Sequence, residues 1–528
     1  MGITSFFGSA KGKGSGFYLM TVGNLLAIVL SLYRQMEIAR IFGMSWQTDV
    51  FAIALVLPLL IREAVVHTID ATLVPAYTKI MTRNGARSAK AFLNKVITWL
   101  SVASGLLCLL LLAASGKLIS LISPGLLASQ IDLAARMFRI LVPMILLSTL
   151  SGILISICNF QRRYGLTALI RILEVGTSLV FILLFSGVMG IMVLPYSILT
   201  GAASLLVALV FISRKISISF NPDMGARDPE FRKFVLVALP LVLGALVLGG
   251  ATVVDKAMAS LLGEDSITSL DYASKIHNTL LTILILPMAI IANVSFADFF
   301  ARRNMTGLKE EFGKLLNWIT LLTFPVTAAM VVLSTPLISV LFQRGEFSQM
   351  DARMVGGVLT FYAPWFVGFS VCTLLSRIFY SMQDSVTPVA LGFWGMIVNI
   401  LLNMMLMGSM GVNGLALGTS IASLARAVLL LYFLRRRIGP MNGIVVSREI
   451  LKVAGGALVM IAAMLGLDAL VPFSTGYSLL HRVLYLAGFS LLGAVVYGIS
   501  LVTLKSIPAR VLIDRMRQRF SITKQDRV

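Results

Sequence analysis

Apolar runs of about 20 residues recur from Phe17 almost to Lys505, each long enough to cross a hydrocarbon layer roughly 30 Å thick as a helix. In lipid such a run satisfies its backbone N–H and C=O groups only by bonding them within itself, so the pattern predicts an all-α polytopic membrane protein. The predicted spans are 16 to 33, 48 to 78, 92 to 114, 134 to 157, 166 to 188, 191 to 213, 232 to 262, 268 to 298, 315 to 342, 353 to 379, 387 to 409, 412 to 434, 451 to 473 and 482 to 504. That makes about fourteen transmembrane helices and leaves no room for a large extramembrane domain. Composition supports the reading: 58% of residues are hydrophobic and 13% charged, a balance that no water-soluble domain of 528 residues can present to solvent.

A net charge of +21 suggests nucleic acid as a partner, but the Lys and Arg residues sit in short clusters between apolar runs, not on a polar domain. They read as topology signals. Lys79, Arg83, Arg87 and Lys90; Arg162 and Arg163; Arg214, Lys215, Arg232 and Lys233; Arg302, Arg303 and Lys309; and Arg435, Arg436, Arg437 and Arg448 mark cytoplasmic connections. Connections nearly free of Lys and Arg alternate with them, as at 186–191, 263–266 and 408–412. Both termini are then cytoplasmic. The connection holding Gln383 and Asp384 is the one predicted cytoplasmic loop without its own basic cluster. The first apolar run lacks a small-residue cleavage site and is expected to remain as an uncleaved helix. Beyond Lys505, a tail with Arg510, Arg515, Arg517, Arg519, Lys524 and Arg527 reads as an anchor on the anionic leaflet.

Several chemistries are not indicated. Cys108, Cys158 and Cys372 lie in separate apolar runs with no paired spacing, which supports neither a disulfide framework nor a metal site. His67, His277 and His481 are far apart and lack ligand spacing. No Gly-rich phosphate loop or nucleophile elbow is present, so neither ATP hydrolysis nor a cofactor is expected, and the chain reads as a transporter, not an enzyme.

A weak internal repeat runs at an offset of about 220 residues: Arg83-Asn84 and Phe92 return as Arg303-Asn304 and Phe312, and Ser129-Gln130-x-Asp132 returns as Ser348-Gln349-x-Asp351. Arg214-Lys215-Ile216 likewise returns as Arg436-Arg437-Ile438. The repeat predicts two lobes of about six helices each, over 1–220 and 221–445, with two further helices over 446–505 and the basic tail over 506–528.

Ionisable groups inside spans cost about 2.5 to 3.5 kcal/mol on insertion scales, so they face a partner or a watery cavity. One set lies near the start: Arg34, Asp49, Arg62, Glu63, His67 and Asp70. A second comprises Asp255, Lys256, Asp271, Lys275 and His277, and Arg139, Arg171, Glu174, Arg377 and Arg426 complete the group. In the functional reading Arg34, Arg62 and Lys275 line a central cavity and hold an anionic head group such as a diphosphate, because the guanidinium fork bonds phosphate oxygens in pairs. In the alternative reading the charges neutralise one another, Asp49 with Arg34, Arg62 with Glu63 and Arg171 with Glu174. The first is preferred for Arg34, Arg62 and Lys275, the second for Arg171 and Glu174; Arg377 and Arg426 are equally readable as groups snorkelling to the cytoplasmic surface.

Several strings resemble the MurJ/MviN family of the multidrug/oligosaccharidyl-lipid/polysaccharide exporter superfamily. Ala39-Arg40-Ile41-Phe42-Gly43, Thr48-Asp49-x-Phe51, Leu57-Pro58-x-x-x-Arg62 and Val74-Pro75 look like its opening signature. Leu341-Phe342-Gln343-Arg344-Gly345-x-Phe347, Tyr380-Ser381-x-x-Asp384-x-x-Thr387-Pro388-Val389 and Gly414-Leu415-Ala416-Leu417-Gly418-Thr419-Ser420 are similar to its second half. The resemblance implies two six-helix lobes in a V around a cationic cavity, two extra C-terminal helices forming a groove for a polyprenyl tail, and flipping of lipid II by alternating access in the bacterial inner membrane. It places cavity cations at Arg34, Arg62 and Lys275, and at Asp49 an acid that orients the arginines. Glu63, His67, Asp70, Asp255, Lys256 and Asp271 are further candidates for the lining. The sequence departs from the family at Ile28 and Glu63, where the family carries arginines, and at His67-Thr68-Ile69-Asp70-Ala71. These departures keep a flippase for an exopolysaccharide or O-antigen repeat unit as the alternative. A cation-coupled drug exporter, which needs an acidic pocket, and a membrane-embedded glycan polymerase, which needs a large periplasmic loop, fit less well. The expected partners are a lipid-linked glycan and membrane lipids, with a monomer sufficient and the coupling ion open.

Overall fold

The computed structural model describes residues 14–161, 163–215, 221–225, 228–439, 443–474 and 476–506. Arg162, the tail residues Arg510 to Arg527 and the side chains of Arg214 and Lys215 lie outside the described residues. Among the described residues every regular element is helical, and 11 stretches are long and apolar enough to cross a membrane. The chain is a multi-pass membrane protein. Two of the 11 stretches are far longer than one crossing: Trp46–Ala113 has 68 residues and Gly165–Ile212 has 48, against the roughly 20 that a helix rising 1.5 Å per residue needs. The first is interrupted at Gly85, whose φ of 81° and ψ of 174° suit only glycine, and the predicted spans 48 to 78 and 92 to 114 fall on either side. The second passes through Gly190, at φ 52°, between the predicted spans 166 to 188 and 191 to 213.

The helices pack into two compact units, Met1–Thr268 and Ser269–Val528. The first contains α1 (Gly14–Phe42), α2 (Trp46–Ala113), α3 (Ser115–Ile122), α4 (Ala128–Leu141), α5 (Pro143–Phe160), α6 (Tyr164–Met189), α7 (Val193–Lys215) and α8 (Pro229–Ala259). A capping box between Ser45 and Thr48 starts α2. Its later half packs on α5 and α8 through Leu73, Phe92, Val96, Ile153, Ile157, Phe231 and Phe234, with the Phe92 and Phe234 rings edge-on at 5.8 Å. At the end of that core Lys95 Nζ donates to Asp228 Oδ2 at 2.6 Å, and Asp228 Oδ1 accepts from the Glu230 backbone N–H as the cap of α8. The hydrogen bond from Lys95 holds the Asp228 carboxyl below the usual carboxylate range. These contacts carry the first unit beyond the lobe boundary expected at 220/221, because the buried face of α8 is spent on α2.

The second unit receives the body of α9 (Ser266–Leu280), which continues through a π-helical turn, Leu281–Ile285, into α10 (Leu286–Ala301). It then holds α11 (Met305–Phe342), α12 (Gln349–Ser381), α13 (Val386–Met410), α14 (Val412–Ile438), α15 (Gly443–Leu470) and α16 (Leu479–Thr503). Phe296, Phe312, Leu316, Leu375, Phe379 and Leu430 form its main core. α12 and α14 approach so closely that a Cβ on Gly368 would sit 2.4 Å from Ser423 Oγ. The last two helices pack on α11 through Val453, Met460, Met464 and Phe489, and Tyr497 Oη donates to the Leu321 carbonyl at 3.0 Å. Both copies of the Ser-Gln-x-Asp string begin a helix by different means: Ser348 and Asp351 form a capping box, whereas Gln130 accepts from the Leu127 N–H and Asp132 pairs with Arg136. In the connection between α12 and α13 Asp384 accepts from the Thr387 N–H and hydroxyl and pairs with Arg437. Burial opposes ionisation there, and these partners outweigh it, holding the carboxyl below its ordinary value. Leu109, Leu110, Leu184, Leu236 and Val294 stand exposed, as side chains facing lipid do.

Candidate substrate-binding site

Small residues bring α1, α6 and α7 together. A Cβ on Gly23 of α1 would lie 2.7 Å from the Ala168 Cβ of α6, and one on Gly201 of α7 would lie 2.8 Å from the Glu174 carbonyl oxygen and 3.3 Å from the Ser178 Cβ. Residues 174 and 178 are four apart and share one face of α6. That face meets two arginines. Arg62 Nη2 of α2 donates to Glu174 Oε1 at 2.9 Å, and Arg34 Nη1 of α1 donates to Ser178 Oγ at 3.0 Å. Arg34 feels the attraction of Glu174 and the repulsion of Arg62, and its Nε is buried without a hydrogen-bond partner. One guanidinium is thus paired with a carboxylate and its neighbour with a neutral hydroxyl, leaving an excess positive charge.

The expected site residues separate into groups. Arg34 and Arg62 come together, but their acid is Glu174, not Asp49 or Glu63. Asp49 is buried and its Oδ1 accepts from the Thr268 backbone N–H at 2.6 Å, so it caps the first turn of α9 instead of orienting the arginines. The expected pairing of Arg171 with Glu174 gives way as well: Arg171 is exposed and the carboxylate is engaged by Arg62. Lys256 is buried with its ammonium donating to the Ala52 carbonyl at 3.2 Å, which makes it a packing group and not a lining one. Asp255 beside it is half-buried. Glu63, His67 and Asp70 are exposed along one face of α2, with Asp70 Oδ1 accepting from Ser156 Oγ at 3.1 Å.

In the second unit Lys275 is answered on its own helix. Its Nζ lies 2.6 Å from Asp271 Oδ2 one turn earlier and 5.4 Å from the Tyr272 ring centroid. His277 is fully buried, stacked on Trp365 with centroids 3.7 Å apart and planes 1° apart. Arg139 donates to Ser115 Oγ and Arg426 to the Pro388 carbonyl, both local structural bonds. Sequence reasoning missed Ser178 and the reach of Glu174 to α2. The available signal was that Glu174 is the one acid in α6, at a depth where a carboxylate needs a cation. No cluster of three or more His, Cys, Asp or Glu side chains with metal-holding geometry occurs among the described residues.

The sequence profile of the family described as "Lipid II flippase MurJ" matches residues 38–523. The chain belongs to the lipid II flippase MurJ family. Among relatives, a "Probable lipid II flippase MurJ" of Buchnera aphidicola is 28% identical over 416 residues, covering 77% of this chain and 80% of the relative. The "Lipid II flippase MurJ" of Burkholderia cenocepacia is 25% identical over 435 residues, covering 79% and 83%. The fold matches a solved structure described as "Lipid II flippase MurJ, inward closed conformation" with a TM-score of 0.78 at 22% identity, over 94% of this chain and 100% of the other. An inward-facing multidrug resistance MATE family transporter of the MOP superfamily matches with a TM-score of 0.64 at 16% identity, over 78% and 99%. The all-α fold inferred from the apolar runs and the family inferred from the short strings both stand.

Proposed function

We propose that this chain is a flippase that moves lipid II, an undecaprenyl-diphosphate-linked sugar-peptide, from the cytoplasmic to the periplasmic leaflet of the bacterial inner membrane by alternating access, with both termini in the cytoplasm. The observation that supports it most is the pair of arginines within membrane-spanning helices, Arg62 bonded to the carboxylate of Glu174 and Arg34 to the neutral hydroxyl of Ser178. A surplus guanidinium charge at that depth suits a diphosphate, whose oxygens accept paired hydrogen bonds. Lys275 is the second unit's candidate contact to the head group, and Glu63, His67 and Asp70 are assigned to a water-filled lining, since polar side chains left open on a membrane helix do not face lipid. Membrane potential or an ion gradient is physically adequate to drive the cycle. No cofactor is required, and one copy of the chain suffices. Replacing a conditional strain's own lipid II flippase with this chain tests the proposal: wild type should restore protease-accessible lipid II outside the membrane, and Arg62→Ala and Lys275→Ala should not. A well-expressed wild-type chain that fails entirely would give preference to the repeat-unit reading, which the acidic open face of α2 favours.

A further inference from the structure

Glu174 has a place in the site that no pairing within a helix explains. It reaches from α6 to Arg62 on α2, and the side chains of this pair keep 30% and 20% of their exposure, so a ligand has access to both. Ser178, one turn further along α6, holds Arg34 by a hydroxyl and not by a charge, while Arg34 Nε is left without any acceptor. Gly201 presses against the backbone of Glu174 and the Cβ of Ser178, which fixes this face of α6 toward the arginines. The arrangement has the donors of an anion site with one carboxylate standing where an anionic oxygen of a ligand would stand.

We propose that Glu174 is a positioning residue that acts as an internal stand-in for the substrate's diphosphate. In the substrate-free state it holds the Arg62 guanidinium in place for binding and partly neutralises the arginine pair. An arriving diphosphate exchanges with it, taking the Arg62 donors, with the Arg34 charge held close by through Ser178. Glu174 is then a displaced negative charge beside a bound anion, and the repulsion between the two keeps the site from holding its cargo too tightly. The exchange replaces the Arg62–Glu174 ion pair by an Arg62–diphosphate pair and leaves the Glu174 carboxylate as the uncompensated charge, a cost that opposes tight retention of the cargo. This inference rests on the reading of Arg34 and Arg62 as diphosphate ligands.

The test is binding of farnesyl diphosphate to the full chain in nanodiscs, measured calorimetrically for wild type, Glu174→Gln, Glu174→Asp and Arg62→Ala. Removing the competing charge should tighten binding about tenfold in Glu174→Gln, and drawing the carboxylate back by one methylene should tighten it about threefold in Glu174→Asp. Transport by Glu174→Gln should show a lower KM together with a lower kcat, because release of the head group slows. A purely structural Glu174 gives the opposite binding result, since Arg62 loses its support and affinity falls. Unchanged or weaker binding in Glu174→Gln overturns the proposal, and if that variant fails to fold, unchanged or weaker binding in Glu174→Asp does so. Unaltered binding in Arg62→Ala instead overturns the diphosphate reading on which the proposal stands.

Discussion

Asp49 offers the sharpest distinction between what its position in the sequence suggests and what its surroundings allow. Its Oδ1 lies 2.6 Å from the Thr268 backbone nitrogen, in the first turn of α9, and the residue is 2% exposed. A side-chain cap of this kind contributes about 1 kcal/mol, and the cost of taking a charged carboxylate into a buried site offsets its attraction to the helix N-terminus. Asp49→Asn keeps an acceptor, so it should cost less than about 1 kcal/mol of unfolding free energy; Asp49→Ala loses the acceptor and leaves an N–H without a partner, at about 2 to 3 kcal/mol. Thermal unfolding of the detergent-purified chain, followed by tryptophan fluorescence, ranks the two, and hydrogen exchange at the Thr268 amide should quicken in the alanine variant. Farnesyl diphosphate binding to the folded Asp49→Asn protein should stay within about threefold of wild type, a shift of under 1 kcal/mol. Loss of binding in a normally stable Asp49→Asn protein would refute the cap and restore an orienting role toward the arginines.

Other perturbations follow from the same geometry. Gly201→Leu should push α7 off α6, cost about 1 to 3 kcal/mol and weaken diphosphate binding by displacing Glu174 and Ser178, as calorimetry would register. The carboxyl of Asp228 is depressed in the folded chain, so its contribution is present above the ordinary carboxylate value of 3.8 and is lost as pH falls through the lower folded value. Asp228→Asn should therefore be less stable than wild type by about 1 kcal/mol at pH 7 and match it in strong acid, which unfolding curves across pH would reveal. Trp365→Ala should remove the surface against which His277 is stacked and lower stability by about 3 to 5 kcal/mol, read from the same unfolding transition.

The fold was legible because apolar length is a one-dimensional property: a run such as 353 to 379 announces α12 without reference to any neighbour. Helix ends that depend on caps were less so. α11 begins at Met305, ten residues before the predicted 315, because Asn304 accepts from the Gly307 N–H and starts a first stretch, 305–314, whose charged residues lower its hydropathy. The site was legible in its cations and not in its anions. Arg34 and Arg62 stand out wherever they fall in an apolar run, but their partner depends on which helices meet, and Asp49 and Glu63 were nearer in sequence than Glu174. What selected Glu174 was Gly201, whose missing side chain lets α7 lie against α6. The compact unit runs past the 220/221 boundary of the repeat for a related reason: the repeat follows sequence, whereas packing carries α8 to the aromatic surface of Phe92 and Trp99.

The Arg62–Glu174 pair joins residues 112 positions apart, whereas Lys275 and Asp271 close a single turn of one helix. The two therefore enter the bilayer differently. As the chain is synthesised, α2 arrives in the membrane before α6 exists, so Arg62 meets lipid without its carboxylate and bears about 2.5 to 3.5 kcal/mol until Glu174 is inserted. α9 carries its own counter-ion and has no such interval. Biogenesis of the first unit thus contains a waiting stage, in which a lone arginine must be sheltered at the insertion site or by snorkelling to the head groups, and α2 is the span whose insertion depends most on helices that have yet to be made.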